Sequence, residues 1–376
     1  MNIMFVAGDP SGDIHGARVV AALRTKMPVV NCIGIGGPAM VAQGFTQLLP
    51  FEPFNKMGFA EVVLHLPFFL SARKKLIAEI NSKKYAALVC VDYPGLNMTL
   101  LEAAHKAGVP VVWYIVPQVW AWKKKRAETL GKFATHIATV FPFETKLFEG
   151  MPATVSFVGH PLMEELKSFR KNYSEAVRSA NFKSGELTVA LVPGSRVQEI
   201  KRMLPSMVAA FVLLKKQFPK LHGIVSHRSG LPDDLFALCQ NIEGLNTSQD
   251  GLLEILDKAD CACVTSGTAT LQTALMGVPM VIVYKTSALS YAILSRIVTI
   301  KNIGLPNIVA GERLVPELVQ DDATPQNIAR EISGYVRSEE LARKTSDSLM
   351  KLAGRLGERV ASAEVAQIIV KVIQNR

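Results

Sequence analysis

Cysteine is scarce in this chain: five residues in 376, at positions 32, 90, 239, 261 and 263. The number is odd and no C-x-x-C pair occurs, which argues against a disulfide framework; reduced thiols buried in apolar strands are expected instead. Neither H-x-x-x-H nor a clustered Cys/His pattern is present to hold zinc. D-x-D is also missing, and with it the carboxylate cage that holds a divalent ion in many sugar-nucleotide enzymes. No run of about 18 uninterrupted apolar residues occurs, so a membrane-spanning helix is excluded. The opening NIMFVAG reads as a strand and not as a signal peptide. A hydrophobic content of 49% with 20% charged residues rules out a disordered chain and implies a large core. The net charge of +10 favours acidic partners: phosphorylated substrates, anionic lipid or nucleic acid.

Apolar runs alternate with helical periods. Residues 2–7, 31–37, 86–92, 109–116, 136–140 and 154–158 read as strands. GDPSGD at 8–13 breaks the first run, and a helix carrying Ala17, Val20, Ala21 and Leu23 follows. Continuous apolar strands separated by helices mean a parallel sheet covered on both faces. The pattern restarts near Glu186 with LTVALVPGSR, an amphipathic segment at 205–218, the strand LHGIVSH and a short helix at 251–258. The expectation is an α/β chain of two Rossmann-like doubly wound domains facing a cleft. The first spans 1–165 and the second 166–344, with the charged stretch 164–185 as linker and a terminal helix from about 345 to 376 crossing back onto the first. Ligands in such sheets bind outside the carboxyl ends of the strands.

CACVTSGTATLQTALMGVPMVIVY (261–284) reads as strand, tight loop, helix and strand. Ser266 is the expected N-cap, Gly267 and Thr268 open the helix, Gly277 stands at the C′ position and Pro279 blocks continuation. A helix start after a strand offers unpaired N–H groups and the positive end of a dipole, which suits a phosphate or diphosphate; an ordinary βαβ turn has the same residues. LVPGSRVQEI carries Gly194 and Ser195 into a turn. Arg196 follows, with a planar fork that matches two phosphate oxygens, and Glu199 is placed to orient it. In CVDYPGLN, Asp92 ends a buried strand, where a carboxylate can deprotonate a hydroxyl or simply cap the turn before Pro94. GDPSGDIHGA brings Ser11, Gly12, Asp13 and His15 to a helix start that lacks the lysine of a P-loop; Asp13 or Ser11 is the expected cap.

MGFAEVVLHLPFFLSARKKL (57–76) is apolar, then basic. Val62, Val63, Leu66, Phe68, Phe69 and Leu70 precede Arg73, Lys74 and Lys75. Such a stretch suits insertion into an anionic membrane surface; a buried helix or a dimer face is the alternative. In IVPQVWAWKKKR, Trp120 and Trp122 precede four cations, which fits an acyl or phosphate site or a solvated face. The basic run is too short and isolated to favour nucleic acid.

Taken in order, GDPSGDIHGA, MGFAEVV, CVDYPGLN, VPQVWAWKKKR, FPFETKLFE, FVGHPL, LVPGSRVQEI, TSGTATLQTAL, VIVYK and LPNIVAG followed by ELVQ resemble the lipid-A-disaccharide synthases over nearly the whole chain. That resemblance implies a GT-B glycosyltransferase without metal or other cofactor. The reaction it implies joins UDP-2,3-diacylglucosamine to 2,3-diacylglucosamine 1-phosphate by an inverting β-1,6 linkage and releases UDP. Carried onto this sequence, Gly194, Ser195, Arg196, Glu199, Ser266, Gly267, Thr268, Thr270, Gln272, Asn307 and Gln320 would form the UDP-sugar site. Asp92 would be the base, and Ser11, Gly12, Asp13 and His15 would lie near the acceptor. Residues 57–70 would contact the cytoplasmic face of the inner membrane, with no nucleic acid as partner and homo-oligomer formation left open. Two positions depart from the family pattern: Asp9 replaces a usual glutamate in the opening loop, and Gln272 replaces a usual glutamate after S-G-T. A UDP-sugar 2-epimerase of the same fold and a non-catalytic nucleotide-sugar or lipid binder are the alternatives.

Overall fold

Uniformly apolar strands have no face to give to water, and here each is sandwiched in a parallel sheet. The computed structural model describes residues 1–55, 66–117, 124–169, 175–287 and 301–375. These form two compact units: Met1–Glu164 with Leu356–Arg376, and Glu165–Arg355.

In the first unit the strands are β1 (Asn2–Val6), β2 (Asn31–Ile35), β3 (Thr46–Gln47), β4 (Tyr85–Val91), β5 (Val111–Tyr114), β6 (His136–Thr139) and β7 (Thr154–Phe157). All pairings are parallel, in the order β3-β2-β1-β4-β5-β6-β7. The chain therefore builds outward from β1 in one direction, then returns to the centre at β4 and builds in the other. The helices used below are α1 (Pro10–Lys26), α2 (Pro38–Ala42), α3 (Leu66–Asn81), α4 (Pro94–Asn97) and α5 (Pro161–Ser168). On one face of the sheet, Leu76, Ile80, Leu88, Cys90, Leu101 and Trp113 make a continuous core. Burial of each such side chain contributes roughly 1.5–3 kcal/mol.

The second unit repeats the plan. Its strands are β8 (Thr188–Val192), β9 (His222–Ser226), β10 (Leu245–Ser248), β11 (Cys261–Thr265), β12 (Met280–Tyr284) and β13 (Glu317–Val319). They pair in parallel in the order β10-β9-β8-β11-β12-β13. Helices α6 (Val197–Gln217), α7 (Thr268–Leu275), α8 (Leu305–Ala310) and α9 (Pro325–Arg337) belong to this unit. Phe211, Leu204, Cys263, Val283 and Ile332 meet in its core. All five cysteines are buried and free, and burial pushes the thiols of Cys32 and Cys239 up to about 11.

The last helix, α10 (Ala361–Gln374), packs on α1 in the first unit. It is tied there by Glu164, whose carboxylate accepts from the Ser362 amide at 2.7 Å and from its hydroxyl at 2.8 Å. Among the described residues no helix is long and apolar enough to cross a membrane.

Two details differ from the sequence reading. Helix α1 begins at Pro10, inside the stretch expected to be a loop, because Asp9 caps it by accepting from the Gly12 amide at 2.7 Å. A proline at the first helical position supplies the right φ and lacks an N–H that would go unpaired there. Asp13 is thus released from capping α1. It is buried, and its carboxylate accepts from the amides of Gly37, Ala39 and Met40 at 2.8, 2.9 and 3.0 Å, holding the start of α2. Substituting Asp13→Ala would strand these donors, and each unpaired buried donor costs about 1–3 kcal/mol. The expected result is a lowered urea midpoint with unchanged m-value, with Asp13→Asn, which keeps one acceptor oxygen, falling between the variant and the parent.

Candidate active site

Strand order reverses between β1 and β4 in the first unit and between β8 and β11 in the second. Crossover helices leave in opposite directions at such a point, so a crevice opens at the carboxyl ends of the two central strands. Of the site residues read from the sequence, Ser11, Gly12, Asp13, His15 and Asp92 lie by the first of these places and residues 194–199 and 266–272 by the second, while Asn307 lies on α8 and Gln320 after β13.

In the second unit, Val192 pairs with Val264, which brings the loops after β8 and β11 side by side. Gly194 has φ +116°, and a Cβ there would lie 2.6 Å from the Glu199 carboxylate, so the turn requires glycine. Glu199 accepts from the amides of Ser195 and Arg196 at 3.1 and 3.3 Å and holds the Arg196 guanidinium at 2.6 Å. The Arg196 side chain is nonetheless 78% exposed. Glu199 therefore fixes the root of the arginine and leaves most of its fork open. On the neighbouring loop Gly267 has φ +155° and open space where a Cβ would stand; Gly267 and Thr268 are both exposed at the start of α7. A guanidinium and a helix start, both solvent-facing at one switch point, form a positively polarised place for a diphosphate.

Several expected donor-site residues are engaged in holding loops. Gly267, not Ser266, is the N-cap of α7; the Ser266 hydroxyl donates to Ile303 O at 2.9 Å. Thr270 is buried and donates back to Gly267 O at 2.7 Å. Gln272 donates to Glu165 at 3.3 Å. Asn307 is fully buried: Oδ1 accepts from Leu314 and Val315 at 2.8 and 3.1 Å, and Nδ2 donates to Val315 O and Glu317 at 2.9 and 2.8 Å. These four bonds use the whole capacity of a carboxamide, so in this conformation Asn307 shapes the loop instead of touching a ligand. Gln320 clamps the ends of β12 and β13 by accepting from Thr286 N at 2.6 Å and donating to Thr286 O at 3.3 Å. Sequence reasoning missed Glu317, which also accepts from Ile303 and Gly304 amides at 2.8 and 3.0 Å, and Thr265, whose buried hydroxyl has no partner among the described residues.

In the first unit, Val6 pairs with Cys90, so the turns carrying Asp9 and Asp92 leave adjacent strands at the same end. Burial, then the charge of Asp9, raises the Asp92 carboxyl to about 7, against a smaller lowering by the Tyr93 amide. A carboxylate that exchanges its proton near neutrality suits a general base. Ser11 is exposed and contacts the His15 ring at 3.2 Å, while Gly12 is buried beside Asp9. His15 is lowered to about 4 by burial and by Arg18, and its Nδ1 is buried without a partner among the described residues. His160, part of FVGHPL but not among the expected site residues, is lowered to about 3 by burial and then by His15. Its Nδ1 accepts from Leu162 N at 3.2 Å, which leaves the proton of the neutral ring on Nε2. Both imidazoles are uncharged at neutral pH. Among the described residues no group of three or more potential metal ligands occurs.

Of the apolar-basic stretch, Val62 and Val63 lie outside the described residues, as do Trp120 and Trp122, and Leu66 opens α3. Phe68 and Phe69 are half-buried, with ring centroids 5.0 and 5.8 Å from Phe54. Leu70 is 54% exposed.

The family profile for lipid-A-disaccharide synthetase matches residues 3–372. The lipid-A-disaccharide synthase of Geobacter sulfurreducens is 38% identical over 373 residues, 99% of this chain and 97% of that protein. That of Geobacter metallireducens is 37% identical with the same coverage. In fold, the chain is similar to a UDP-GlcNAc 2-epimerase from Neisseria meningitidis bound to UDP-GlcNAc, at TM-score 0.65, 11% identity and full coverage of both chains. It is equally similar to the glycotransferase of kitacinnamycin, at TM-score 0.65, 15% identity and 99% coverage of both. Two parallel α/β units with this likeness are the GT-B fold, and with the full-length profile match they establish that this chain belongs to the lipid-A-disaccharide synthase family.

Proposed function

We propose that the chain joins UDP-2,3-diacylglucosamine to 2,3-diacylglucosamine 1-phosphate, forming the β-1,6-linked disaccharide and UDP, while lying peripherally on the cytoplasmic face of the inner membrane. The observation that carries the mechanism is the Asp92 carboxyl, raised to about 7 at the unit 1 switch point. The acceptor 6-hydroxyl attacks the anomeric carbon, Asp92 takes its proton, and the bond to the diphosphate breaks with inversion. Charge then grows on the departing UDP. Arg196 and the exposed amides at the start of α7 stabilise it, since fixed dipoles aimed at developing charge contribute most in a site shielded from water. Neutral His15 and His160 offer hydrogen bonds without adding charge near the acceptor. Exposed Leu70, with Arg73, Lys74 and Lys75 following, supports a membrane-facing edge on α3. A 2-epimerase reading rests on fold likeness alone, at 11% identity.

Mass spectrometry of the lipid product, after incubation with both acylated sugars in detergent, tests the reaction directly. Arg196→Ala is expected to lower kcat by about 100-fold or more, with Arg196→Lys recovering only part of it, because a point charge replaces a two-pronged one. The pH profile of kcat should lose activity on the acid side of about pH 7 as Asp92 becomes protonated. Asp92→Asn should abolish turnover while changing stability in a pH-dependent way. The folded carboxyl titrates above the ordinary range near 3.9, so its stabilising contribution is complete below that value and is lost as pH rises through about 7. Calorimetry should therefore find Asp92→Asn more stable than the parent at pH 8, with the gain shrinking towards pH 5.

A further inference from the structure

Asp92 and Tyr93 are consecutive non-glycine residues with positive φ, +45° and +49°. Each left-handed residue of this kind is unfavourable for an L side chain and persists only where its surroundings enforce it. The enforcement is visible. Asp92 N donates to Tyr114 O at 2.9 Å, which continues the β4–β5 ladder up to the turn. The Tyr93 hydroxyl donates to Phe54 O at 3.2 Å, and its ring occupies the space where a Cβ on Gly8 would fall. Between the two switch-point strands sits Asn97, the last residue of α4, fully buried. Its Nδ2 donates to Asp92 O at 2.7 Å and to Val6 O at 3.1 Å. One amide thus ties the turn after β4 to the end of β1, the strand that leads into Asp9. The Asn97 Oδ1 is buried with no partner among the described residues, so the side chain is held for its donors alone.

We propose that Asn97 is a positioning residue for the transfer reaction: by bridging the carbonyls of Asp92 and Val6 it holds the left-handed turn that sets the Asp92 carboxyl beside Asp9. This rests on Asp92 being the base. The charged group acting on Asp92 is Asp9, from the turn between β1 and α1, and the Tyr93 amide opposes it. If the bridge is cut, the turn relaxes towards ordinary backbone angles and the carboxyl moves away from Asp9. Proton acceptance is then misaligned, and the carboxyl titrates lower. Asn97→Leu is the informative substitution, because it keeps the branched shape and the number of heavy atoms, removes both donors to Asp92 O and Val6 O, and breaks no bond to Oδ1, which has no partner among the described residues.

The experiment measures UDP release with both acylated sugars in detergent across pH 5–9, for Asn97→Leu, Asp9→Asn and Asp92→Asn, with circular dichroism to confirm folding. Asn97→Leu is expected to lose about 100-fold in kcat, as misplacement of a reacting group by an ångström does, with donor KM within about threefold of the parent. Its acid limb should move down by about one pH unit. Asp9→Asn keeps the α1 cap, since asparagine also accepts from Gly12 N, and should move the limb the same way through charge alone. A folded Asn97→Leu enzyme with kcat within threefold of the parent overturns the proposal. So does a loss of kcat with an unmoved acid limb, which is what general loosening would produce. If Asn97→Leu fails to fold, Asn97→Ser, which keeps one donor, is judged by the same two criteria. Normal turnover by Asp92→Asn sinks the base assignment and this inference with it; a dead Asp92→Asn enzyme beside an unaffected Asn97→Leu sinks the positioning role alone.

Discussion

The reversal of strand order at the centre of each sheet is the constraint from which the rest follows. A right-handed crossover places its helix on one face or the other according to the direction of travel, so β1 and β4, like β8 and β11, send their following helices apart. At those two places the turns after the central strands lie between helices that diverge. Most of the candidate site residues stand at those two places. In the second unit the exposed groups are positively polarised. In the first, Asp9, Asp92 and the neutral imidazoles of His15 and His160 stand near the switch point, a largely buried set of the opposite character.

Much of the surrounding machinery is devoted to loop shape. Glu199 holds the base of Arg196, Gln320 joins the ends of β12 and β13, and Glu317 gathers the Ile303 and Gly304 amides together with Asn307. Each is a polar side chain that satisfies backbone donors or acceptors which a strand end or loop would otherwise leave unpaired. In the reaction proposed above, such preorganisation would hold the exposed groups in place before substrate arrives, so that little reorganisation is needed as charge develops.

The α/β class and both doubly wound series were legible in the sequence, because strands such as YAALVCV and CACVT are apolar throughout and glycine turns punctuate them. The places of the candidate site residues Gly267 and Arg196 were legible for the same reason: each follows a strand in a short turn. Roles that depend on where a side chain turns were not. Asp13 and Asn307 carry the right chemistry at the right place in sequence but point inward, each satisfying amides or carbonyls on a segment that local pattern cannot locate. Asp9 took the capping role expected of Asp13 or Ser11, because a proline at the first helical position moved the helix start by several residues. Asn97 gave no local signal beyond its proximity to a strand end, since the carbonyl it bridges to belongs to a strand 91 residues earlier.

The return of the chain to unit 1 has a consequence for biogenesis. Helix α10 packs on α1 and is pinned by Glu164 across 198 residues of sequence. The whole of unit 2 is synthesised in between. Emerging from the ribosome, unit 1 therefore lacks this helix against α1 until the polypeptide has been made past residue 374, and surface left bare in that interval is open to premature association.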